Sequence, residues 1–467
     1  MLTRRQMLAE CGQGAGLLAL ADLLSRETLA HEDAEYQLQP DHSMAPRSAA
    51  FPVKAKNIIW LFMHGGPSQV DTFDEKPLLK KFDGQSPPEE FHKLNLQFTD
   101  VSKQKLMASQ QEFGRYGESG LAMCSGFHQL SRHADDLAVL RGVHHEVFNH
   151  TPGIFLMNTG ESRMGRASLG SWLTYGLGCE TENLPAYVVM NDGPLKPGPG
   201  VWGNGFLPAV YQGTNIKPGA APIDNLRPQP ELAGIDQRGT LDFAQWLNER
   251  HRSSRPGDSD LEARIASYEL AFRMQSTAPE AVDLASESKA TRDLYGSGFG
   301  ERCLVARRLV ERGVRTVQIY HGCGGGGWDT HGDNHNRHVD LIRSVDQGCA
   351  ALLSDLRNRG LLEETLVVWG GEFGRTPTTE GNNGRDHSPY GFSMWLAGGG
   401  VKGGQAIGTT DDFGFRAIDD KLHVHGLHAT ILKLMGIDPE RLAFRSAGLD
   451  QRLIGVETPD DIYDRLT

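Results

Sequence analysis

The sequence predicts an α/β protein, an α/β/α sandwich in which helices cover both faces of a mostly parallel central sheet. Continuous apolar runs of the buried-strand type recur along the chain, and helical patterns lie between several of them. Strands that alternate with helices form parallel sheets with two covered faces. The apolar runs are Asn57–Met63, Leu137–Val143, Ala186–Met190, Val314–Tyr320, Thr365–Trp369 and Ser393–Ala397.

The clearest helical pattern spans His338–Arg359. Its apolar residues recur at helical spacing on one face, and Gly360 supplies a C-terminal stop. The charged segment 241–297 also reads as helical and is expected to be an insertion. We therefore predict a single α/β domain over residues 51–460 that carries this helical insertion.

The first 30 residues carry the features of a Tat export signal. The twin arginines Arg4 and Arg5 precede a modest apolar run, Gly14–Leu24, and small residues before His31. The alternative is an ordinary amphipathic N-terminal helix. Residues 31–50 are polar, contain two prolines and are predicted to be a linker. The signal predicts export through the Tat machinery to the periplasm or the cell surface.

Composition excludes several classes of protein. The net charge of -12 argues against a nucleic-acid-binding surface. The sequence contains no run of about 18 apolar residues, so no integral membrane span is expected. The six cysteines include no C-x-x-C pair, and a chain of 467 residues does not need disulfides to fold.

Acidic and imidazole side chains concentrate on the loops that follow the apolar runs. Asp71 follows the first run, and Asp329 and His331 follow a glycine-rich loop after the fourth. Ligands of open α/β sheets bind at the carboxyl ends of strands, so these residues are expected at one edge. Mixed carboxylate and imidazole sets suit a divalent metal, with zinc, manganese, iron and calcium left open.

The segment Glu372–His387 supplies further candidates. A carboxylate that emerges from a buried strand is costly unless a cation meets it, which favours Glu372 as a ligand. Arg375 is expected to bind an anionic substrate or to pair with Glu372. The predicted metal ligands are Asp71, Asp329, His331, Glu372, Asp386 and His387.

Three histidines crowd into Gly142–Gly160 after the second apolar run. Of these, His150 is predicted to be functional, as a metal ligand or as an acid or base near neutral pH. The alternative is a hydrogen-bonded, partly buried imidazole without a catalytic role.

These blocks in this order resemble the DUF1501 family, a bacterial family with Tat-type N-termini that is abundant in planctomycetes. The shared blocks include GGPSQVDTFD, WDTHGDNH, LVVWGGEFGRTP and GRDH, and the resemblance runs from about Asn57 to Val456. By similarity the family is placed in the alkaline phosphatase-like superfamily, which includes sulfatases and phosphoglycerate mutases. The resemblance implies an α/β/α sandwich and one or two divalent metals bound by Asp and His.

The superfamily's ligand pattern carries over only in part. Its strand-end Asp-His pair corresponds to Glu372-Phe373, so one carboxylate is kept and one imidazole is lost. Its late ligand histidine corresponds to His387, and its Asp-x-x-x-His segment is similar to Asp329–His335 with altered spacing. A sulfatase segment of the same length as His150–Gly160 places His150 at the nucleophile position. These departures argue against two-metal phosphatase and formylglycine sulfatase chemistry.

The function expected from these residues and this resemblance is an exported, metal-dependent hydrolase of phosphate or sulfate esters. Its substrates would be anionic esters such as sulfated or phosphorylated glycans. Arg375 or Arg385 would steady the anion while water attacks, and Thr151 and Ser68 are the alternative nucleophiles. The competing interpretation is a non-catalytic surface protein that uses the same fold to bind a ligand or partner.

Overall fold

The computed structural model describes residues 44–94, 96, 100–217, 223, 236–254, 259–325 and 327–467. The predicted export signal, residues 1–30, and most of the predicted linker lie outside these ranges. The described end of that linker packs against the rest of the protein, because Arg47 N–H donates to the Leu177 carbonyl and Ala50 N–H to the Gly436 carbonyl. Residues 43–467 form one compact unit.

Six strands of five to seven residues and eleven strands of two to four residues occur in the described part of the chain. They are β1 (Asn57–Met63), β2 (Phe113–Tyr116), β3 (Leu121–Cys124), β4 (Ala138–His144), β5 (Tyr187–Asn191), β6 (Thr214–Asn215), β7 (Thr316–His321), β8 (Thr365–Gly370), β9 (Gly374–Arg375), β10 (His387–Ser388), β11 (Phe392–Ala397), β12 (Gln405–Ile407), β13 (Thr409–Thr410), β14 (Ala417–Asp419), β15 (Leu422–His423), β16 (Phe444–Ser446) and β17 (Leu449–Gln451).

The helices of the described residues are α1 (Pro77–Lys81), α2 (His150–Thr159), α3 (Leu169–Leu177), α4 (Gln237–Ser254), α5 (Ser259–Val282), α6 (Lys289–Tyr295), α7 (Phe299–Glu311), α8 (Asn334–Asn358), α9 (Val424–Leu434) and α10 (Tyr463–Leu466). The predicted helix His338–Arg359 is α8, which begins four residues earlier than expected. Helices α4 to α6 occupy the segment predicted to be helical between residues 241 and 297.

The central sheet has nine strands in the order β12-β4-β11-β8-β1-β7-β5-β6, with β15 beside β4. β1 lies in the middle and pairs in parallel with β7 and β8. β11 runs antiparallel to both of its neighbours, β4 and β8. The predicted α/β class with a mostly parallel sheet is confirmed. The six apolar runs form β1, β4, β5, β7, β8 and β11.

Both faces of the sheet are covered, as the continuous apolar strands require. Ile59 and Leu61 of β1 belong to the core cluster that α7 and α8 complete. On the opposite face, Gln318 and Tyr320 of β7 hydrogen-bond to Asn158 of α2. No helix of the described residues is long and apolar enough to span a membrane.

The carboxyl ends of the parallel strands meet at one edge, where four chain segments turn outward. β1 ends before His64, and β4 leads through a short loop to His150 at the start of α2. The loop after β7 carries Asp329, and β8 ends two residues before Glu372. The sheet therefore gathers the predicted site residues from segments that lie far apart in sequence.

Candidate metal centre

Three imidazole nitrogens and one carboxylate oxygen converge at this edge. Asp329 Oδ1 lies 3.0 Å from His150 Nε2, 2.9 Å from His331 Nε2 and 3.2 Å from His387 Nε2. The Nε2 atoms of His331 and His387 are 2.9 Å apart. One ligand atom from each of these four residues lies within 4.8 Å of all the others. We call this group the Asp329 cluster.

Each imidazole of the Asp329 cluster is held through its other nitrogen. His150 Nδ1 lies 2.6 Å from Glu372 Oε1, and His387 Nδ1 lies 2.7 Å from the Phe148 carbonyl oxygen. Glu380 is the matching partner of His331 Nδ1. Carbonyl and carboxylate oxygens only accept, so each Nδ1 carries a proton. Each Nε2 therefore faces the cluster and would offer its lone pair to a bound ion after losing any proton of its own.

The start of α2 brings the first of these imidazoles into the cluster. His150 is the first residue of α2, and the side chain of the preceding Asn149 makes no capping hydrogen bond. Because side chains of a helix lean toward its N-terminus, His150 projects ahead of the helix. The amides of the first turn have no partner within the helix, so the positive end of α2 lies beside the cluster.

Glycine at position 65 allows the β1 and β7 loops to approach each other. Gly65 has φ +110°, and a Cβ there would lie 2.4 Å from the Asp329 backbone nitrogen. Its N–H donates to both carboxylate oxygens of Glu372, at 2.9 and 3.1 Å. This close approach fixes Asp329 and Glu372 on opposite sides of His150.

Electrostatics poise the Asp329 cluster for a cation. Burial opposes ionisation of Asp329, but its contacts with the three imidazoles and the charge of Arg375 outweigh burial and hold the pKa of Asp329 well below the usual range. Hydrogen bonds to Asp329 and Glu380 raise the pKa of His331 to about 9. Burial lowers the pKa of His387 to about 4. At neutral pH the carboxylate is charged and His387 is neutral, whereas a metal must displace a proton from His331.

The carboxylate that supports His150 from outside the cluster is ionised as well. Burial opposes ionisation of Glu372, but the hydrogen bond and charge of His150 lower the pKa of this carboxyl. His145 donates from Nε2 to the Glu372 carbonyl oxygen at 2.6 Å and fixes the backbone at this point. Burial lowers the pKa of His145 to about 4, so it serves as a neutral donor.

The residues of the Asp329 cluster fit a divalent metal. Three imidazoles and one carboxylate form a ligand set that zinc and similar ions accept in tetrahedral geometry. His150 Nε2 is buried and has no well-aligned hydrogen bond, as expected of a nitrogen that offers its lone pair to an ion. Carboxylate or carbonyl partners on the distal nitrogens are the usual support of metal-binding histidines.

Two predicted ligands stand close to the cluster without joining it directly. Glu372 contacts the Nδ1 of His150, so it orients that imidazole and does not face the same point as the three Nε2 atoms. Asp386 accepts from the His387 backbone N–H at 2.7 Å. It also forms a second possible ligand group with His331 and Glu380. Both carboxylates therefore surround the cluster.

Asp71 has a different position from the one expected. Its carboxylate accepts from Arg385 at 2.8 and 3.3 Å, from Asn334 at 2.9 Å and from Ser68 Oγ at 2.6 Å. Burial opposes ionisation, but the Arg385 charge keeps the pKa of Asp71 well below the usual range. The pair lines a separate polar cavity of about 170 Å³, and Asp71 is not part of the Asp329 cluster.

Arg375 and Arg385 both use their guanidinium donors in hydrogen bonds within the protein. Arg375 donates to the carbonyls of Gly65, Gly66 and Arg385 and, at 2.8 Å, to Asp329 Oδ1. Arg385 donates to Asp71 and to two backbone carbonyls, those of Thr376 and Met107. Both side chains are fully buried. The expected contact between either guanidinium and a substrate anion is not supported by this geometry.

Glu380 is the residue that sequence reasoning missed. It lies in a polar loop whose hydrogen bonds with Gly384 turn the chain back toward His331. The available signal was the cluster of carboxylates and glycines that precedes His387 in the segment EGNNGRDH. Such a loop has no periodicity, and its partner lies 49 residues earlier in the chain.

Comparisons with solved structures give distant likenesses. The superposition with the Ps i-CgsB structure in complex with k-i-k-neocarrahexaose covers 82% of this chain and 72% of that one, at 10% identity and a TM-score of 0.37. The chain is similar to the PsFucS1 sulfatase from Pseudoalteromonas sp. at 12% identity and a TM-score of 0.35, covering 82% and 68%. It is also similar to the alkaline phosphatase from the Antarctic bacterium TAB5, at 10% identity and a TM-score of 0.34, and this superposition covers 83% of this chain and 99% of that one. Likenesses at this level do not define an activity.

No curated protein matches the chain. The family model described as "Protein of unknown function (DUF1501)" matches residues 55–463, which is most of the sequence. The chain therefore belongs to the DUF1501 family.

Proposed function

We propose that this protein is an exported, metal-dependent hydrolase of phosphate or sulfate esters. The observation that carries the proposal is the convergence of three Nε2 atoms and one carboxylate oxygen in the Asp329 cluster. The residues that would hold the ion are His150, Asp329, His331 and His387. Sulfated and phosphorylated glycans are the proposed natural substrates.

A divalent ion, when bound, supplies Lewis-acid polarisation of the ester oxygens and lowers the pKa of water. The protein's own contribution is to orient and to bind. Glu372, Glu380 and the Phe148 carbonyl fix the tautomers of the three imidazoles. The positive end of α2 lies beside the cluster and favours an anionic group there.

The hydroxyl groups near the cluster differ in their availability. Ser68 is fully buried, and its Oγ donates to Asp71, so it is not free to attack a substrate. Thr151 is exposed on the first turn of α2. His150 uses one nitrogen on Glu372 and directs the other at the cluster, which favours the ligand role over the proton shuttle. We assign hydrolysis to direct attack by water, without a covalent intermediate.

The test combines metal content with turnover. Purified wild-type protein is expected to contain one divalent ion per chain and to hydrolyse aryl sulfate or aryl phosphate esters in a metal-dependent manner. His150→Ala should lose metal and activity, whereas the neighbouring Thr151→Ala should change the rate by less than about tenfold. A sulfuryl or phosphoryl group trapped on Thr151 or Ser68 and found by mass spectrometry would refute direct attack by water.

A non-catalytic binding role predicts a different result. Wild-type protein with full metal occupancy and no turnover of any aryl ester would favour that interpretation and contradict the hydrolase proposal. A protein that takes up no divalent ion would contradict the metal site itself.

Export is part of the proposal and has its own experiment. Replacing Arg4 and Arg5 together with lysine should leave the precursor in the cytoplasm. The control is a variant with lysine in place of Arg26, which lies beyond the apolar run. Unchanged recovery outside the cytoplasm after the double substitution would contradict Tat export.

A further inference from the structure

Carboxylates outnumber guanidinium groups around the Asp329 cluster. Four carboxylates stand in or directly around the cluster. They are Asp329, Glu372, Glu380 and Asp386. The described contacts of the four ligands include two guanidinium groups. Arg375 lies 2.8 Å from Asp329 Oδ1, and Arg337 donates to the Asp329 backbone carbonyl at 2.9 Å. The protein therefore surrounds the cluster with more negative than positive charge.

The nearest guanidinium groups cannot turn toward a substrate to correct this balance. Arg375 is fully buried, and its donors serve three backbone carbonyls and Asp329. Arg385 is fully buried as well and is paired with Asp71 in the neighbouring cavity. Arg337 is partly buried, and its two terminal nitrogens donate to backbone carbonyls, one of them that of Asp329. Releasing any of these three side chains would leave carbonyl or carboxylate oxygens without a donor, which is costly.

A bound divalent ion does not reverse the balance. With neutral imidazoles, the ion, Arg375 and Arg337 together supply four positive charges against four carboxylates. The N-terminus of α2 adds roughly half a positive charge. The centre is then close to neutral, so it can accept one negative charge through the ion and the helix amides. A second negative charge on the substrate meets four carboxylates at short range.

The open side of the cluster is acidic as well. His331 has the most exposed side chain of the four ligands, at 33%. Its Nδ1 is bonded to Glu380, whose side chain is 20% exposed. A substrate that approaches over His331 therefore passes a carboxylate, which disfavours a dianion during approach as well as after binding.

We propose that the Asp329 cluster selects esters that carry a single negative charge and rejects dianionic phosphate monoesters. Sulfate monoesters and phosphate diesters share this charge and a tetrahedral centre. The inference rests on the proposed function, since it concerns the substrate of the same site, and it narrows that substrate class.

The first test measures binding without turnover. Titration calorimetry on metal-loaded protein compares phenylphosphonate, at a pH where it is a dianion, with its singly charged monomethyl ester. The monomethyl ester is expected to bind at least about tenfold more tightly. Equal binding, or tighter binding of the dianion, would overturn the proposal.

Turnover distinguishes the two sources of a singly charged ester. The probes are p-nitrophenyl sulfate, bis-p-nitrophenyl phosphate and p-nitrophenyl phosphate. One of the first two should exceed the third in kcat/KM by at least about tenfold, and the better of the two identifies a sulfate or a diester substrate. The highest kcat/KM on p-nitrophenyl phosphate would contradict the inference and leave the hydrolase proposal standing.

A charge variant and a matched control connect the preference to the site. Glu380→Gln keeps an acceptor for His331 Nδ1 and removes one charge from the open side, so the binding preference should narrow several-fold. Glu363→Gln makes the same change on an exposed residue just before β8, at the opposite edge of the sheet, and should leave the preference unchanged. Equal effects of both variants would refute the local charge argument. A protein that binds the singly charged analogue but hydrolyses no ester would refute the proposed function and support the charge preference.

Discussion

Asp329 and Asp71 follow neighbouring parallel strands at one edge of the sheet, and the sequence predicts a metal ligand at each position. Their surroundings differ. Asp329 Oδ1 lies within 3.2 Å of three imidazole nitrogens. Asp71 accepts from a guanidinium, an amide and a hydroxyl group. A buried carboxylate with permanent donors on both oxygens is already satisfied, whereas the imidazoles around Asp329 can give up their Nε2 protons and bind a metal ion together with it.

The same two loops build both environments. The loop after β7 sends Asp329 and His331 to the cluster, and α8 begins with Asn334, which reaches Asp71. The loop after β8 sends His387 to the cluster and Arg385 to Asp71. Residues two or three positions apart in the same segment therefore serve a candidate metal site in one case and a structural ion pair in the other. The two sites can be compared directly by mutation.

The largest difference is expected from removing Asp329. Asp329→Ala takes away the charged ligand, so the protein should lose its stoichiometric metal, and turnover should fall by more than about a hundredfold. Metal analysis by mass spectrometry, together with aryl ester kinetics, measures both effects. Retention of one tightly bound ion per chain in this variant would show that the cluster is not the metal site.

Removing Asp71 should act on stability instead. Asp71→Ala leaves the buried Arg385 without its counter-ion, which is expected to lower the free energy of unfolding by about 3–5 kcal/mol. Denaturant unfolding of the metal-free proteins measures this change, with wild type as the reference. The folded variant should still bind one ion per chain. Loss of metal with unchanged unfolding would instead place Asp71 in the metal site.

A smaller effect on metal affinity is expected from changing Glu372, which supports His150 from outside the cluster. Glu372→Gln retains an acceptor oxygen for His150 Nδ1 but removes the charge that supports it. Outer carboxylates of this kind typically contribute about 10–100-fold to metal affinity. Competition with a chromophoric chelator measures the change. An unchanged metal affinity would mean that the hydrogen bond from His150 does not support metal binding.

The smallest effect concerns pH. In metal-free protein, the pKa of His331 is raised to about 9, above the ordinary value of 6.5. The protonated imidazole therefore stabilises the fold fully below about pH 6.5, and this contribution is lost as the pH rises through 9. Metal affinity should change in the opposite direction and increase over the same range, because the ion displaces that proton.

Thermal unfolding of chelator-treated protein between about pH 6 and pH 9.5 tests this sign. Wild type should lose more stability over this range than His331→Gln, which has no titrating group at that position. A variant that follows the wild-type curve would show that His331 does not carry the raised pKa.

The fold could be predicted because its signal is local. Each buried parallel strand is a continuous apolar run, so β1, β7 and β8 can be predicted from the sequence. Their order in the sheet then places Asp329 and His387 near one edge. Glycine at position 65, which lets two loops touch, is also visible as part of the pair after β1.

The assignment of partners could not be predicted in the same way. Whether Asp71 meets a metal or an arginine depends on Arg385, which lies 314 residues later in the chain. The role of Glu372 depends on which nitrogen of His150 faces it. These choices follow from side-chain geometry after the sheet has assembled, and no spacing in the sequence specifies them.

X-ray absorption spectroscopy of the wild-type protein loaded with one zinc ion per chain tests the central claim most directly. The predicted spectrum contains three imidazole nitrogens at about 2.0–2.1 Å and a carboxylate oxygen at about 2.0–2.2 Å, and three-nitrogen coordination is lost in His387→Ala. A first shell of oxygen ligands without imidazole, unchanged in His387→Ala and altered in Asp71→Ala, would contradict the account.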